Sequence, residues 1–454
     1  MPRLSSVTHG IYCRTLSNHT PCDTHFRFNR CRGEHLSLQR DISRAVYALA
    51  DDARRFREDL ARNPEPSREE YRTAAKIHAK LAATGLQPVM ARSGRGVIAE
   101  VGPRNRPVVV LRSDIDALRM QDERNVPYRS RVDGVHHGCG HDVMTAGLVH
   151  AAGILADIDK HGPGLPNRVR MVFQPAEEVA EGAQQMIRED GVLDNAVAAI
   201  GAHSWPRIRA GKYGVLDGRI QTSHHGVELI LRGPGGHSSV PTPTTDLIRV
   251  GSKFSTALLE GMEEFARGMG PEAQPAFAYG KAGGGESRNV LPTKFTFNGT
   301  LRYGDVEEFR KAPERLRSLA ADFAAHAGFS DYELNIDSAV PPVINTCADK
   351  VAEALTAGRG PKVVVREFDM PKGGDDMAFF GTGVDDIPGA PWIHYTQVGV
   401  VPKGRPLGEH PYLHTETFDA DPSAAGHAAY HYAVMGATRF DYPRDRGKSR
   451  EMAL

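Results

Sequence analysis

The sequence Gly138-Cys139-Gly140-His141-Asp142 stands between two segments of regular pattern. Residues 108–111 form a short apolar run typical of a strand, and residues 145–155 are small and apolar with helical character. Cys and His one residue apart are good ligands for soft and borderline metals, and an acid follows them directly. The alternative for such a pair is a buried thiol beside a surface histidine. The pattern places the pair after a strand and at the start of a helix, where side chains from several elements can converge.

Strand and helix alternate on both sides of this stretch. We predict strands near residues 97–101, 108–111, 168–173 and 196–201, with helices near 38–62, 145–158 and 181–190. The first two strands are expected to be neighbours. Ser67-Arg-Glu-Glu70 predicts a capping box for a further helix that ends near Ala83. This alternation is typical of an α/β fold, with a mostly parallel sheet and helices on both faces.

Candidate ligands follow the predicted strands. Asp114 and Asp116 come after the second strand, Glu177 and Glu178 after the third, and His203 after the fourth. In sheets of this kind a ligand site lies at the carboxyl ends of the strands. The sequence therefore predicts that these side chains meet at one edge of the sheet.

A loop histidine, His414, completes a candidate set. With Cys139, His141, Glu178 and His203 it provides five nitrogen, sulfur and oxygen ligands, enough for two divalent ions that share a bridging water. Of two adjacent glutamates, one can bind a metal while the other, facing the opposite way, takes a proton from the water. The alternative for Glu177-Glu178 is a charged helix N-terminus. Zn, Mn, Co and Ni all suit such mixed ligation.

The pattern changes after residue 221. The order β-α-β-β-α-β over residues 222–336 is typical of a ferredoxin-like unit. We predict that this α+β domain is inserted into a metal-binding catalytic domain of residues 36–221 and 337–440. Its glycine-rich loop carries His237, a candidate donor to a developing oxyanion. Arg302 and Asn289 are candidates to hold a carboxylate, although a simple hairpin and a surface arginine explain them equally well.

Composition narrows the function classes. The chain has 454 residues, which favours two domains, and 56 basic residues balance 56 acidic ones. That balance gives no support for a nucleic-acid or membrane-surface partner. Five cysteines and the absence of an apolar leader indicate a reducing cytoplasm. Residues 1–35 are predicted to be a disordered extension, the alternative being a metal knuckle built on Cys13, Cys22 and Cys31, and residues 441–454 a loose tail.

The motifs together resemble the binuclear metallopeptidase family of aminoacylases and carboxypeptidase-G-type enzymes. The similarity is to its amidohydrolase branch, which includes hippurate hydrolase and indole-acetyl-amino-acid hydrolases. It covers roughly residues 50–440 in family order. The segments that carry it are Leu111-Arg-Ser-Asp114-Ile-Asp116-Ala-Leu118, Cys139-Gly-His141-Asp142, Phe173-Gln-Pro-Ala-Glu177-Glu178, Gly201-Ala-His203-Ser-Trp-Pro206, Gly235-Gly-His237, Gly284 to Pro292, Gly299-Thr-Leu-Arg302, Gly373-Gly-Asp375-Asp376 and His414.

The resemblance implies roles for these residues. It implies two divalent ions bound by Cys139, His141, Glu178, His203 and His414, one of which bridges them. Glu177 is then the general base and Asp116 lies behind the ligands. The resemblance further implies that His237, Asn289 and Arg302 hold the oxyanion and the substrate carboxylate. The inserted domain is expected to act as a lid and to form a homodimer or larger oligomer.

The expected activity is hydrolysis of the amide bond of N-acyl amino acids or related small amides. A dipeptidase or carboxypeptidase of the same family is one alternative. Another is a non-catalytic, ligand-binding descendant, because the chain departs from the family at Ala61 and Met144, where histidines are usual. Arg119 replaces the usual proline, and Asp375-Asp376-Met377 replaces the usual Glu-Asp-Phe.

Overall fold

A computed structural model describes residues 38–242, 244–267, 269, 276–304, 306–370 and 373–443. The predicted extension 1–35 and most of the predicted tail lie outside these residues. The described helices of five or more residues are α1 Leu38–Arg62, α2 Tyr71–Ala82, α3 His141–His161, α4 Gly182–Asp190, α5 Leu247–Ala266, α6 Val306–Ala327, α7 Ala348–Arg359, α8 Ala378–Thr382 and α9 Ala424–Gly436. The described strands are β1 Val89–Met90, β2 Val97–Val101, β3 Val108–Asp114, β4 Arg168–Gln174, β5 Ala196–Arg209, β6 Tyr213–Gly214, β7 Gly218–Arg219, β8 His224–Arg232, β9 Gly236–His237, β10 Ala276–Gly283, β11 Val290–Leu291, β12 Lys294–Arg302, β13 Tyr332–Val340, β14 Ile344–Asn345, β15 Val364–Val365 and β16 Trp392–Val401.

An eight-stranded sheet runs in the order β1-β2-β4-β3-β5-β16-β6-β15. Its four central strands, β4, β3, β5 and β16, are parallel to one another. The predicted mostly parallel α/β sheet is thus confirmed. The expectation that β2 and β3 are neighbours is wrong, because β4 lies between them and pairs with both. Strand β4 is mostly buried, which is typical of a central strand that has a neighbouring strand at each edge.

Helices cover both faces of this sheet. One face packs against α1, α2, α3, α7 and α9, and the other against α4 and α8. Helices α3 and α9 lie so close that a Cβ at Gly147 would come within 2.4 Å of the Ala428 Cβ atom. This contact fixes the position of α3, whose first residue is His141.

The predicted capping box at Ser67 is wrong. Arg68 has a left-handed φ of 72°, which turns the chain between Ser67 and the start of α2. The N–H groups of Arg72 and Thr73 in the first turn of α2 instead donate to the Glu65 carboxylate, at 3.0 and 2.7 Å. The Ser67 hydroxyl donates to Asp116 Oδ2 at 2.7 Å, so its contact is with a predicted site residue.

A second sheet has four antiparallel strands in the order β10-β12-β8-β13. Helices α5 and α6 pack against it and form a separate apolar core with it. The predicted ferredoxin-like strand and helix order is therefore confirmed, with the short pair β9 and β11 added to it. Among the described helices, none combines the length and the apolar character that a membrane crossing requires.

Candidate metal centre

The five predicted ligands come together. Cys139, His141 and His203 each place one ligand atom within 4.8 Å of the other two, and Cys139, Glu178 and His414 form a second such group. Cys139 belongs to both groups. Its Sγ atom lies 3.3 Å from His203 Nε2 and 3.3 Å from His414 Nε2. His414 Nε2 lies 3.5 Å from Glu178 Oε2.

The loop before α3 leaves little freedom to Cys139 and His141. Gly140 has a left-handed φ of 82°, and a Cβ there would lie 2.7 Å from Ser204 Oγ. The His414 N–H donates to the Gly138 carbonyl at 2.9 Å, which ties the last ligand to the same loop. Glycine is required at position 140 because the chain both turns and passes close to the end of β5.

Backbone contacts set the orientation of two histidines. His141 Nδ1 donates to the Asp116 carbonyl at 3.0 Å, and His203 Nδ1 donates to the Ser204 carbonyl at 2.8 Å. With Nδ1 held in this way, the Nε2 atom of each ring faces the cluster, as in metal-binding histidines whose other nitrogen is held by the protein. Asp116 also accepts the Glu178 N–H at 3.0 Å through Oδ2, so it lies behind two candidate ligands.

Orphaned atoms in the cluster fit bound cations. His141 Nε2, Glu178 Oε1 and Asp114 Oδ1 are buried and have no hydrogen-bond partner among the described residues. Buried polar atoms are nearly always satisfied, and a divalent ion would satisfy those that face it. The donor set of one thiol, three imidazoles and a carboxylate suits borderline divalent ions.

The electrostatics of the cluster point the same way. Burial raises the pKa of Glu178 to about 7, against the opposing effect of His141. Burial also raises the pKa of Glu177, and the Asp375 carboxylate raises it further. Burial and the Glu178 carboxylate raise the pKa of the Cys139 thiol. A buried site with this many acidic groups favours bound cations, because a metal ion displaces protons from the groups that bind it.

Glu177 lies deeper than Glu178. Its Oε2 atom is 3.7 Å from His141 Nε2, and its carboxylate lies within 4.8 Å of the Asp375 and Asp376 carboxylates. The side chain is 8% exposed. Glu178 Oε1 also lies 3.9 Å from His141 Nε2, so both glutamates approach this imidazole. They differ in their other neighbours, which are His414 for Glu178 and the two aspartates for Glu177.

Behind Glu177 lies a charge network to which the sequence analysis gave no role. Arg112 is fully buried in β3 and forms ion pairs with Asp376 at 2.7 Å, Asp114 at 3.0 Å and Asp375 at 3.3 Å. The Tyr395 hydroxyl donates to Asp375 at 2.5 Å. Arg112 directly follows the apolar run 108–111, and no local pattern indicates its distant partners. The network joins β3 to residues that come after the four-stranded unit in the sequence.

Asp142 does not contact the candidate ligands by any hydrogen bond or ion pair within the described chain. Its Oδ2 atom accepts from Arg57 Nε of α1 at 2.9 Å, and Arg57 also pairs with Asp419 at 2.6 Å. Asp142 therefore anchors the first turn of α3 from behind, which supports the position of His141.

The three site residues predicted on the four-stranded unit do not join the cluster of candidate ligands. His237 and Asn289 are exposed on neighbouring segments, since β9 pairs with β11 and the Ser238 N–H donates to the Asn289 carbonyl at 3.1 Å. Arg302 is half-buried at the end of β12 and has no hydrogen bond or ion pair with described residues. None of the three contacts the five candidate ligands by a hydrogen bond or ion pair in the part of the chain described.

Comparison with known proteins agrees with this geometry. A model of Peptidase family M20/M25/M40 matches residues 110–435. N-acetylcysteine deacetylase of Bacillus subtilis is 32% identical, over 74% of this chain and 85% of its own length. A Rhodococcus jostii protein named as a glutamate–cysteine ligase is 34% identical over 74% of this chain, but the chain spans only 41% of that longer protein.

Solved structures show the same architecture. A dinuclear metal-binding M20 peptidase of Bacillus subtilis has a TM-score of 0.69 at 27% identity, and the match covers 86% of this chain and 98% of that one. The resemblance noted in the sequence motifs is confirmed. The chain belongs to Peptidase family M20/M25/M40 and is a metal-dependent hydrolase that acts on carbon–nitrogen bonds.

Proposed function

We propose that this protein hydrolyses the amide bond of an N-acyl amino acid or a related small amide. The observation that carries the proposal is the pair of ligand groups that share Cys139, with the Glu177 carboxylate beside them. Relatives named as an N-acetylcysteine deacetylase and an N-acyl-L-amino acid amidohydrolase support the same substrate class. A reducing cytoplasm would keep Cys139 available as a thiolate.

The ligand groups suggest how two divalent ions are held. Cys139, His141 and His203 would hold one ion, and Cys139, Glu178 and His414 would hold the other. Two ions held there supply Lewis acidity, which polarises the substrate carbonyl and acidifies the attacking water. Zn, Mn, Co and Ni are all compatible with this mixed ligand set.

The remaining steps belong to the side chains of the protein. Glu177 takes a proton from the attacking water and later gives it to the leaving amine nitrogen. Asp116 orients His141 and the Glu178 backbone through the contacts described above. Asp114 pairs with Arg112 through Oδ2, and its Oδ1 atom has no hydrogen-bond partner among the described residues, so that oxygen stays available to a bound ion.

The four-stranded unit is proposed to complete the site. Residues 222–336 act as an inserted domain that closes over the cluster, and the same domain forms a homodimer. His237 then donates to the oxyanion, and Asn289 with Arg302 holds the substrate carboxylate. The exposure of His237 and Asn289 leaves both available to a substrate, in the same subunit or in a partner.

The test is hydrolysis of a panel of N-acyl amino acids by protein loaded separately with each candidate metal, with Glu177→Gln as the inactive control. Release of the free amino acid by the parent protein but not by the variant would support the proposal. Preferred cleavage of unblocked dipeptides would instead indicate a dipeptidase or carboxypeptidase. Tight binding of acyl amino acids without cleavage by any metal form would indicate a non-catalytic binding protein.

A further inference from the structure

The turn that carries the two glutamates has an unusual backbone. Ala176, directly before Glu177, has a left-handed φ of 54°, a conformation that residues with a Cβ rarely adopt. The turn then closes tightly, because a Cβ at Gly182 would lie only 1.6 Å from the Pro175 carbonyl oxygen. Something in the surroundings must hold Ala176 in this conformation.

A buried acid from another part of the chain contacts this residue. Glu70 is fully buried, and its Oε1 atom accepts the Ala176 N–H at 2.7 Å and the Arg68 N–H at 3.0 Å. Leaving the Ala176 N–H without this buried acceptor would cost free energy, so the contact is able to oppose the backbone preference of alanine.

The Glu70 side chain does not serve the helix it precedes. It occupies the position before α2 but makes no capping hydrogen bond there. The first-turn N–H groups of Arg72 and Thr73 donate to Glu65 instead. Glu65 and Glu70 are therefore two neighbouring glutamates with separate contacts, one to the helix and one to the turn.

The position of the turn determines where both glutamates point. The N–H groups on either side of Glu177 are held by separate carboxylates, that of Ala176 by Glu70 and that of Glu178 by Asp116 Oδ2 at 3.0 Å. Between these anchors, Glu177 and Glu178 lie 3.7 and 3.9 Å from His141 Nε2, and Glu178 also lies 3.5 Å from His414 Nε2. Two consecutive residues can face one cluster in this way only if the backbone around them is fixed.

We propose that Glu70 is a positioning residue that holds Ala176 in its left-handed conformation and thereby sets Glu177 and Glu178 relative to each other. The inference rests on the proposed roles of these two glutamates. Glu70 contacts neither substrate nor metal in this proposal. The residue acts only through the Ala176 N–H.

Four variants test this idea. Glu70→Ala removes the acceptor, and Glu70→Gln keeps an oxygen acceptor of the same reach. In the double variant Glu70→Ala/Ala176→Gly, glycine adopts the left-handed conformation without the side-chain penalty. Glu65→Ala is the matched control, because it removes the acceptor that caps α2 without touching Ala176. Cobalt titration of the metal-free protein by absorbance reports binding, and kcat for an N-acyl amino acid reports the chemistry.

The expected pattern separates positioning from general stability. Glu70→Ala should weaken one of two cobalt equivalents and lower kcat, each by about tenfold or more, since it leaves the buried Ala176 N–H without an acceptor. Glu70→Gln should stay within about threefold of the parent protein. The double variant should regain most of both losses. Glu65→Ala should lower the melting temperature but leave cobalt affinity and kcat unchanged.

Two results would overturn the inference. One is a folded Glu70→Ala protein that binds both cobalt equivalents as tightly as the parent, with unchanged kcat. The other is a folded double variant that regains nothing. If Glu70→Ala does not fold, Glu70→Asp keeps the charge but shortens the reach, and the same measurements apply to it. A parent protein that binds cobalt but cleaves no substrate would reject the proposed function, while the cobalt titration would still decide the role of Glu70.

Discussion

The five candidate ligands and the three predicted substrate-binding residues differ in how completely the fold assembles them. Cys139 lies within 3.3 Å of His203 and His414, whereas Arg302 at the end of β12 has no polar partner among the described residues. His237 and Asn289 are neighbours of each other but are exposed. The candidate ligands are therefore assembled around the large sheet, whereas the residues proposed to bind substrate lie on the four-stranded unit and make no hydrogen bond or ion pair with them in the described chain.

The difference comes from strand direction. Strands β3, β4 and β5 are parallel, so residues at the carboxyl ends of β3 and β4 are brought together beside β5. His203 was expected to follow the fourth predicted strand but lies within β5, because that strand continues to Arg209. Neighbouring strands of the four-stranded sheet run in opposite directions, so residues at their ends are divided between two edges. We therefore expect substitutions of the five candidate ligands to alter metal content. Substitutions of His237, Asn289 or Arg302 should alter substrate binding alone.

The largest effect is expected from Cys139→Ala. Both ligand groups lose their shared atom, so the protein should lose both metal equivalents and activity should fall by roughly a thousandfold or more. Elemental analysis and the rate of amide hydrolysis measure these losses. Cys347→Ala is the control, because Cys347 is also a buried free cysteine but belongs to none of the ligand groups. Two tightly held ions in Cys139→Ala would show that the cluster does not depend on this atom.

Replacing the proposed base should separate chemistry from metal binding. Glu177→Gln is expected to lower kcat by about 100- to 10,000-fold, the usual contribution of a general base, while metal content stays the same. Single-turnover kinetics with metal-loaded protein measures the change. Glu181→Gln, at an exposed residue of the same turn, should remain active. Equal activity of Glu177→Gln and the parent protein would remove Glu177 from its assigned role.

Arg302→Ala tests the second side of the comparison. Loss of a charge-assisted contact to the substrate carboxylate should lower kcat/KM by about 10- to 100-fold, mainly through KM. Metal content should not change. A substrate whose carboxylate is replaced by an amide is the internal control, because its kcat/KM should be nearly equal for the two proteins. Equal losses for both substrates would argue against carboxylate recognition by Arg302.

The smallest effect is expected at Ser67. Ser67→Ala removes one hydrogen bond to the Asp116 carboxylate, so metal affinity should weaken by about 2- to 10-fold. Competition with a chromophoric chelator measures this change. In an Asp116→Asn background the same substitution should have less effect. An additive loss in the double variant would mean that Ser67 acts by another route.

The sequence predicted the elements and the ligand set better than the contacts between distant segments. Helix α1 has the predicted bounds because its apolar residues repeat at helical spacing over its whole length. The capping box at Ser67 failed because the left-handed Arg68 is a product of the surrounding fold. The pairing of Arg112 with Asp376 joins residues 264 positions apart, and no local pattern reports such a contact. The candidate ligands could be selected because each follows a predicted strand or lies in a distinctive motif, and their binding of metal stays a prediction.

The place of β16 has a consequence for how the chain is made. This strand pairs along β5 at the centre of the large sheet, yet the ribosome finishes it only after the whole four-stranded unit has been synthesised. Until then β5, almost entirely buried in the finished protein, has an open edge in the nascent chain. We therefore expect the growing polypeptide to need protection from aggregation until β16 has been synthesised. A chain released before residue 392 would lack β16, and its unpaired β5 edge would favour aggregation.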